Sequence, residues 1–167
     1  MNTKTYISLS EKLRTVAGNK DIDLYKGQYL DGEKNESFNC PAVFIQFGDT
    51  PWVEQGAGVQ EGDCTITFHC VVKTVLDTKN IDLYQPQKRE EKLAHLTFDD
   101  AVHECLQRFT PEGCCRELWR VHSEYDQAPD QLTVTKLTYT TRLVQRIANP
   151  RYVAQSITGV QVRELTN

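Results

Sequence analysis

From Asp63 to Val75 the chain alternates with a period of two, and no other stretch restricts the fold as tightly. Cys64, Ile66, Phe68, Cys70 and Val72 fall on one side; Thr65, Thr67, His69 and Lys73 fall on the other. Side chains of an extended strand point alternately to opposite faces, so this run is a strand laying one face on an apolar core. His69 is expected on its outer face. A second strand, Ala42 to Phe47, opens after Cys40-Pro41, where proline removes no needed ladder donor. Val43, Ile45 and Phe47 share one face and Phe44 takes the other, so both faces are expected to be at least partly covered.

Between these strands, Gly48 to Gly62 reads as a long loop carrying Trp52 and the glycines Gly56 and Gly58. Hairpins close in about two to five residues, and longer connections are usually functional or disordered. Asp49, Glu54, Glu61 and Asp63 lie in or beside it with no Lys or Arg among them. Acidic, glycine-rich backbone favours solvent, so the loop is expected to be mobile in isolation. Trp52 has two readings: it folds back onto its own domain, or it anchors a neighbouring subunit, where Trp is enriched. Trp52, Val53, Glu54 and Gln55 are the candidate interface residues.

Tyr6, Leu9, Leu13 and Val16 recur at helical spacing, with Ile7 and Ala17 widening the stripe. Thr3 or Thr5 can cap this helix, and Gly18-Asn19 closes it. A short strand is expected over Ile22 to Tyr29, then a polar loop from Asp31 to Asn39. After a polar stretch from Asp77 to Lys92, Thr97 with Asp100 three residues on resembles a capping box. Phe98, Ala101 or Val102, Cys105 and Phe109 then form an inward stripe, ended by Pro111 and Gly113. Leu118 to Tyr125 is a strand with Trp119, Val121, Ser123 and Tyr125 on one face. Leu132 to Val144 starts with Leu132 and Val134 inward, then changes phase to Leu137, Tyr139, Thr141 and Leu143, as a β-bulge would produce. The fold class is α+β: a mainly antiparallel sheet with two helices packed on one face. Residues 1–148 form one domain, and 149–167 an extended tail or arm.

Composition narrows the function. The 167 residues are 39% hydrophobic and 25% charged, which is ordinary for a globular domain. A net charge of −4 without a basic stripe argues against a nucleic-acid grip and against sequence-specific recognition. No run approaches the roughly 20 apolar residues that span a bilayer, and the polar start from Met1 to Ala17 lacks a signal-peptide core. The six cysteines are expected as reduced thiols of a cytoplasmic protein.

Chemistry-bearing patterns fail one by one. No Cys pair has the close spacing of a structural zinc site, and Cys64 and Cys70 stand roughly 20 Å apart on one strand. His103-Glu104 begins like a metalloprotease helix, but Gln107 occupies the second ligand position. His95 and His103 would not converge on one helix. Gly56, Gly58 and Gly62 sit between strands, whereas a phosphate site needs glycines entering a helix. Glu90-Glu91 and Asp99-Asp100 are adjacent and diverge around a helix. No catalytic, cofactor-binding or metal residue is assigned, and no cofactor is expected.

Taken in order, these elements resemble the tail terminator and tail completion (head–tail joining) proteins of long-tailed bacteriophages. The resemblance rests on the amphipathic start Tyr6 to Ala17, the strand in Pro41-Ala42-Val43-Phe44-Ile45-Gln46-Phe47, and the long loop with Trp52. It continues through Thr65-Ile66-Thr67-Phe68-His69-Cys70-Val71-Val72 and the helix Asp99 to Leu106, into two closing strands. It covers about residues 1 to 146. It implies an α+β subunit of a homo-oligomeric ring, typically hexameric, that caps the tail tube and joins it to the head. Its partners would be tail-tube and head-connector proteins; its place would be the virion, and the host cytoplasm during assembly. The alternatives left open are a small cytoplasmic enzyme or ligand-binding domain, and a host adaptor module with one folded partner.

Overall fold

The computed structural model describes residues 3–30, 38–73, 81–128 and 132–146. The expected tail from residue 149 lies outside them. The element order is α1 (Thr3–Leu13), β1 (Asp21–Leu24), β2 (Ala42–Phe47), β3 (Trp52–Gly56), β4 (Val59–Lys73), a 3-10 turn (Ile81–Leu83), α2 (Pro86–Lys92), α3 (Ala94–Leu106), β5 (Trp119–Ala128) and β6 (Leu132–Arg146). The strands form one sheet in the order β1-β2-β4-β6-β5, with β3 beside β4 as well. Among the described residues only β1 runs parallel to its neighbour, and every other pairing is antiparallel. This is the α+β class read from the sequence.

The alternation in β4 becomes packing. Cys64, Ile66, Phe68, Cys70 and Val72 are buried together with Val43 and Ile45 of β2 and Leu137, Tyr139 and Leu143 of β6. Leu9 and Leu13 from α1, Val16 from the turns that follow it, and Phe98, Val102 and Leu106 from α3 close over them. Cross-strand partners share a face, so the helices cover one side of the sheet. Ile7 is 49% exposed and lies off this stripe. Gly18 and Asn19 do not close the helix: α1 ends at Leu13, and tight turns (Thr15 N–H to the Lys12 carbonyl, Val16 N–H to the Leu13 carbonyl) carry the chain on to Gly18, which is left-handed at φ +81°.

The opposite side holds a smaller cluster: Tyr29, Ala42, Phe44, Val71, Leu132 and Val134, with Tyr25 and Phe38 packed against it. Phe44 therefore covers a second core, as its sequence position requires. Beyond that cluster the same side turns polar, and Thr67 and Thr138 bond hydroxyl to hydroxyl at 3.0 Å.

Several expectations are corrected. The phase change in β6 is no bulge: β4 and β6 stay in register from Val59↔Arg146 to Lys73↔Leu132. The strand buries opposite faces in its two halves, Leu132 and Val134 under the aromatic cluster and Leu137 to Leu143 under the helices. The extra residue lies in β5, where pairing slips between Arg120 and His122. That slip puts Trp119, opposite Thr140, on the polar side, while Ser123 and Tyr125 share the helix-covered side. The four residues do not line one face. β1 stops at Leu24 rather than running on to Tyr29. The polar stretch before Lys92 contains α2, which starts with Pro86 in its first turn and buries no side chain. α3 starts three residues before Thr97, whose hydroxyl turns back to the Leu93 carbonyl instead of capping. It ends at Leu106, ahead of Pro111 and Gly113, because Arg108 takes a left-handed conformation at φ 64° and its N–H bonds the Leu118 carbonyl.

Candidate subunit interface

The segment read as a mobile loop is a β-hairpin. Trp52 pairs with Gly62, Val53 with Glu61 and Glu54 with Gln60, then the register shifts before Gly56↔Val59. Gly56, Ala57 and Gly58 all have positive φ, the twist that a tight hairpin turn demands. The partner that orders this backbone is within the chain: Val59 to Gly62 pair on their other side with Leu143 to Arg146. Glycine makes the close approach possible. A Cβ on Gly62 would stand 2.8 Å from the Pro51 carbonyl oxygen, and one on Gly48 would strike the Thr65 hydroxyl. At the hairpin base, Arg142 donates two 2.8 Å bonds to the Asp63 carboxylate, which holds that carboxyl below its ordinary pKa.

Trp52 is 38% exposed and Val53 59%, and Glu54 and Gln55 are exposed beside them. The structure thus brings the four expected interface residues together on one projecting strand. Trp52 belongs to neither buried cluster. By register, Trp52 and Glu54 face the helix-covered side, and Val53 the other.

A second exposed apolar patch lies across the sheet. Leu118 is fully buried, but from Trp119 to Asp126 every residue of β5 is exposed. Trp119 is 51%, Val121 57% and Tyr125 54% exposed, and the Arg108 guanidinium lies 5.8 Å from the Trp119 ring centre. Sequence reasoning missed this edge: Arg120, Glu124 and Asp126 alternate with Trp119, Val121, Ser123 and Tyr125, which reads as one solvated and one covered face, and the slip between Arg120 and His122 that redistributes them leaves no local signal. The chain before it, from Gly113 to Arg116, is bound to the C-terminal half of β6 through Val144 N–H to the Gly113 carbonyl and Cys115 N–H to the Arg142 carbonyl. A shallow cleft of about 780 Å³ opens there, lined by Asp63, Thr110, Arg116, Glu117, Trp119 and Thr140.

Two histidines, His69 and His103, serve packing. His69, expected outside, is buried at 3% exposure because Tyr25 and Tyr29 fold over it. The Tyr29 hydroxyl lies 2.6 Å from Nδ1, Nε2 lies 2.8 Å from the Gln46 Oε1, and the Tyr25 ring stacks at 4.0 Å. An imidazole accepting at Nδ1 and donating from Nε2 is neutral and has no valence left for a ligand. Burial pushes its pKa down to about 4. His103 Nδ1 is taken up by the Tyr139 hydroxyl at 2.8 Å. On the helix side, Asp99 accepts a 2.6 Å bond from Thr135, and burial raises its carboxyl to about 6. Cys70 and Cys64 are buried, and desolvation raises both thiols above their ordinary values. Among the described residues, no three His, Cys, Asp or Glu side chains are grouped to hold a metal. No helix among them is long and apolar enough to cross a membrane.

Comparison with known proteins bears on the fold. A chain from the solved virion of a native gene transfer agent (GTA) particle superposes with a TM-score of 0.53, covering 84% of this chain and 94% of that one at 9% identity. The fold is shared. No family model matches the sequence, and no curated protein does.

Proposed function

We propose that this chain is a structural protein of a phage-type particle, a tail terminator whose subunits form a ring that caps the tail tube and joins it to the head. The observation that carries this reading is the fold held in common with a gene transfer agent virion chain along nearly all of that chain's length. Two further features support it. The molecule exposes apolar side chains on two separate sheet edges, an arrangement suited to assembly. His69, His103 and the part-buried Asp99 carboxyl are engaged in packing contacts rather than converging in a pocket, so these three offer the enzyme or ligand-binding alternative no support. The ring, hexameric by the family resemblance, would contact tail-tube and head-connector proteins and reside in the virion after assembly in the host cytoplasm.

Deletion of the gene in a particle-producing host tests the reading. Electron microscopy should show heads separated from tails, with tails of uncontrolled length, and expression in trans should restore complete particles. Complete, functional particles without the protein would reject it.

A further inference from the structure

The outer edge of the projecting hairpin has a defined direction and chemistry. Arg142 and Val144 of β6 turn their backbone groups toward the segment Gly113 to Cys115. Backbone groups alternate sides along a strand, so Glu61, opposite Val144, turns its own away from β6 and toward Val53. Trp52 and Glu54, on either side of Val53, therefore aim their N–H and C=O groups out of the sheet. Among the described residues no backbone group pairs with them. Such an edge is a template for another strand. Its side chains alternate as well, with Trp52 and Glu54 on the helix-covered side and Val53 on the other. Arg142 serves Glu61 and Asp63, whereas Glu54 has no ion pair among the described residues.

An antiparallel strand that suits this edge carries a cation opposite Glu54 and apolar side chains opposite Val53 and Trp52. The chain holds that order outside the described residues, as Arg151-Tyr152-Val153. Resting on the ring reading above, we infer that this C-terminal segment of one subunit adds as a strand to the Trp52–Glu54 edge of the next. Arg151 then stands opposite Glu54, Tyr152 opposite Val53 and Val153 opposite Trp52. In that register Pro150 and Tyr152 turn their backbone away from β3, so the N–H that Pro150 lacks costs no ladder bond. The chain's own segment cannot reach this edge. Arg146 lies opposite Val59, and Val59 opposite Gly56, so the place beyond Glu54 is three strand spacings from Arg146. At about 4.8 Å per spacing that is roughly 15 Å, along a line that runs through β4 and β3 themselves. The five residues from Arg146 to Arg151 span at most about 16–18 Å fully extended, which leaves no slack to go round the turn at Ala57 and Gly58. An arm given by one copy and an edge offered by the next form a heterologous contact, and a heterologous contact that closes on itself makes a ring.

Amide hydrogen exchange and charge reversal on the full-length chain test this. In rings, the N–H groups of Trp52 and Glu54 should exchange at least about tenfold more slowly than after dilution to monomers. The N–H of Val53, which faces Glu61 within the subunit, should change little and serves as the control. Glu54→Arg and Arg151→Glu should each raise the concentration needed for self-assembly at least about tenfold, since like charges then face each other. Both changes in one chain should restore assembly. Mass photometry reads the assemblies, and an unchanged melting temperature shows that each variant is folded. Rings in which Trp52 and Glu54 exchange as they do in monomers would overturn the arm, and so would protection that survives dilution. Single changes without effect on assembly, or a double change that fails to restore it, would overturn it too; all four outcomes leave the ring itself standing. An unmodified chain that forms no ring at any concentration would sink both.

Discussion

The two faces of the sheet solve burial in different ways. The helix-covered face is filled with aliphatic and aromatic side chains from five elements: the first helix, α3, β2, β4 and β6. It contains a half-buried carboxyl, Asp99, held by Thr135. Among the described residues the other face is covered at one end, by the segment around Tyr25 and Tyr29, and the centre of that cover is an imidazole with both nitrogens engaged. Large apolar area can be filled by any well-shaped set of hydrocarbons. A small cover is fixed by hydrogen bonds and stacking at defined points. The first face therefore supplies most of the stability, and the second fixes where a short connector lies.

The largest effect should come from the first face. Phe68 is fully buried and packs edge-on against Tyr139 at 5.5 Å. Phe68→Ala should cost about 3–5 kcal/mol, lowering the melting temperature by roughly 10 °C at about 2–4 °C per kcal/mol. A loss under 1 kcal/mol in denaturant titration would show that the helices, rather than the β4 stripe, hold that core.

The faces should also respond to acid with opposite signs. His69 has a folded pKa of about 4, below its ordinary 6.5, so the unfolded chain binds the extra proton first. Its contribution is present above pH 6.5 and is lost as pH falls toward 4, on the order of 3 kcal/mol at about 1.4 kcal/mol per unit of pKa shift. Asp99 is raised to about 6 from 3.8, so the folded chain holds its proton longer. That contribution is present below pH 3.8 and is lost as pH rises through 6. Between about pH 4 and 6 the two oppose each other. Asp99→Asn should remove one side of the balance, giving a steeper fall in stability between pH 6 and 4 than the unmodified chain shows. Parallel stability–pH curves for the two proteins would refute the pairing.

The smallest effect on the monomer should come from the hairpin. Trp52 joins neither buried cluster, so Trp52→Ala should leave the melting temperature within about 2 °C while weakening assembly. A drop of several degrees with assembly intact would return Trp52 to the core of its own domain.

Much of this architecture was legible in the sequence where one face of an element meets one core. The stripes Leu9-Leu13-Val16 and Cys64 to Val72 announce themselves because polar residues flank them. Reading failed where a strand serves two cores in succession. Leu132 and Val134 against Leu137 and Tyr139 look like a slipped register, yet they belong to one unbroken strand buried on alternate sides. It failed again at β3, where glycines and acidic residues are loop-like locally and only β4, itself held by β6 from more than 80 residues away, makes them a strand. The burial of His69 was equally invisible, because it depends on Tyr29, 40 residues earlier. Of the candidate interface, the Trp52 strand could be singled out as an uncommon aromatic in a polar segment. Trp119 and Val121 could not, because a strand with alternating apolar residues looks the same at an open edge as in a covered centre.

The unbroken pairing of β4 with β6 has a mechanical consequence. The hairpin is a cantilever, and its root is a lap joint made of the whole 15-residue length of β4 against β6. Ladder bonds lie across the strands, so tension applied along the hairpin loads them in shear and together, not one after another as in a zipper. A bulge in that joint would concentrate the stress at one rung. Without one, a pull at the tip is carried through to Leu132 and Val134 at the far end, and the subunit yields as a beam rather than at a hinge.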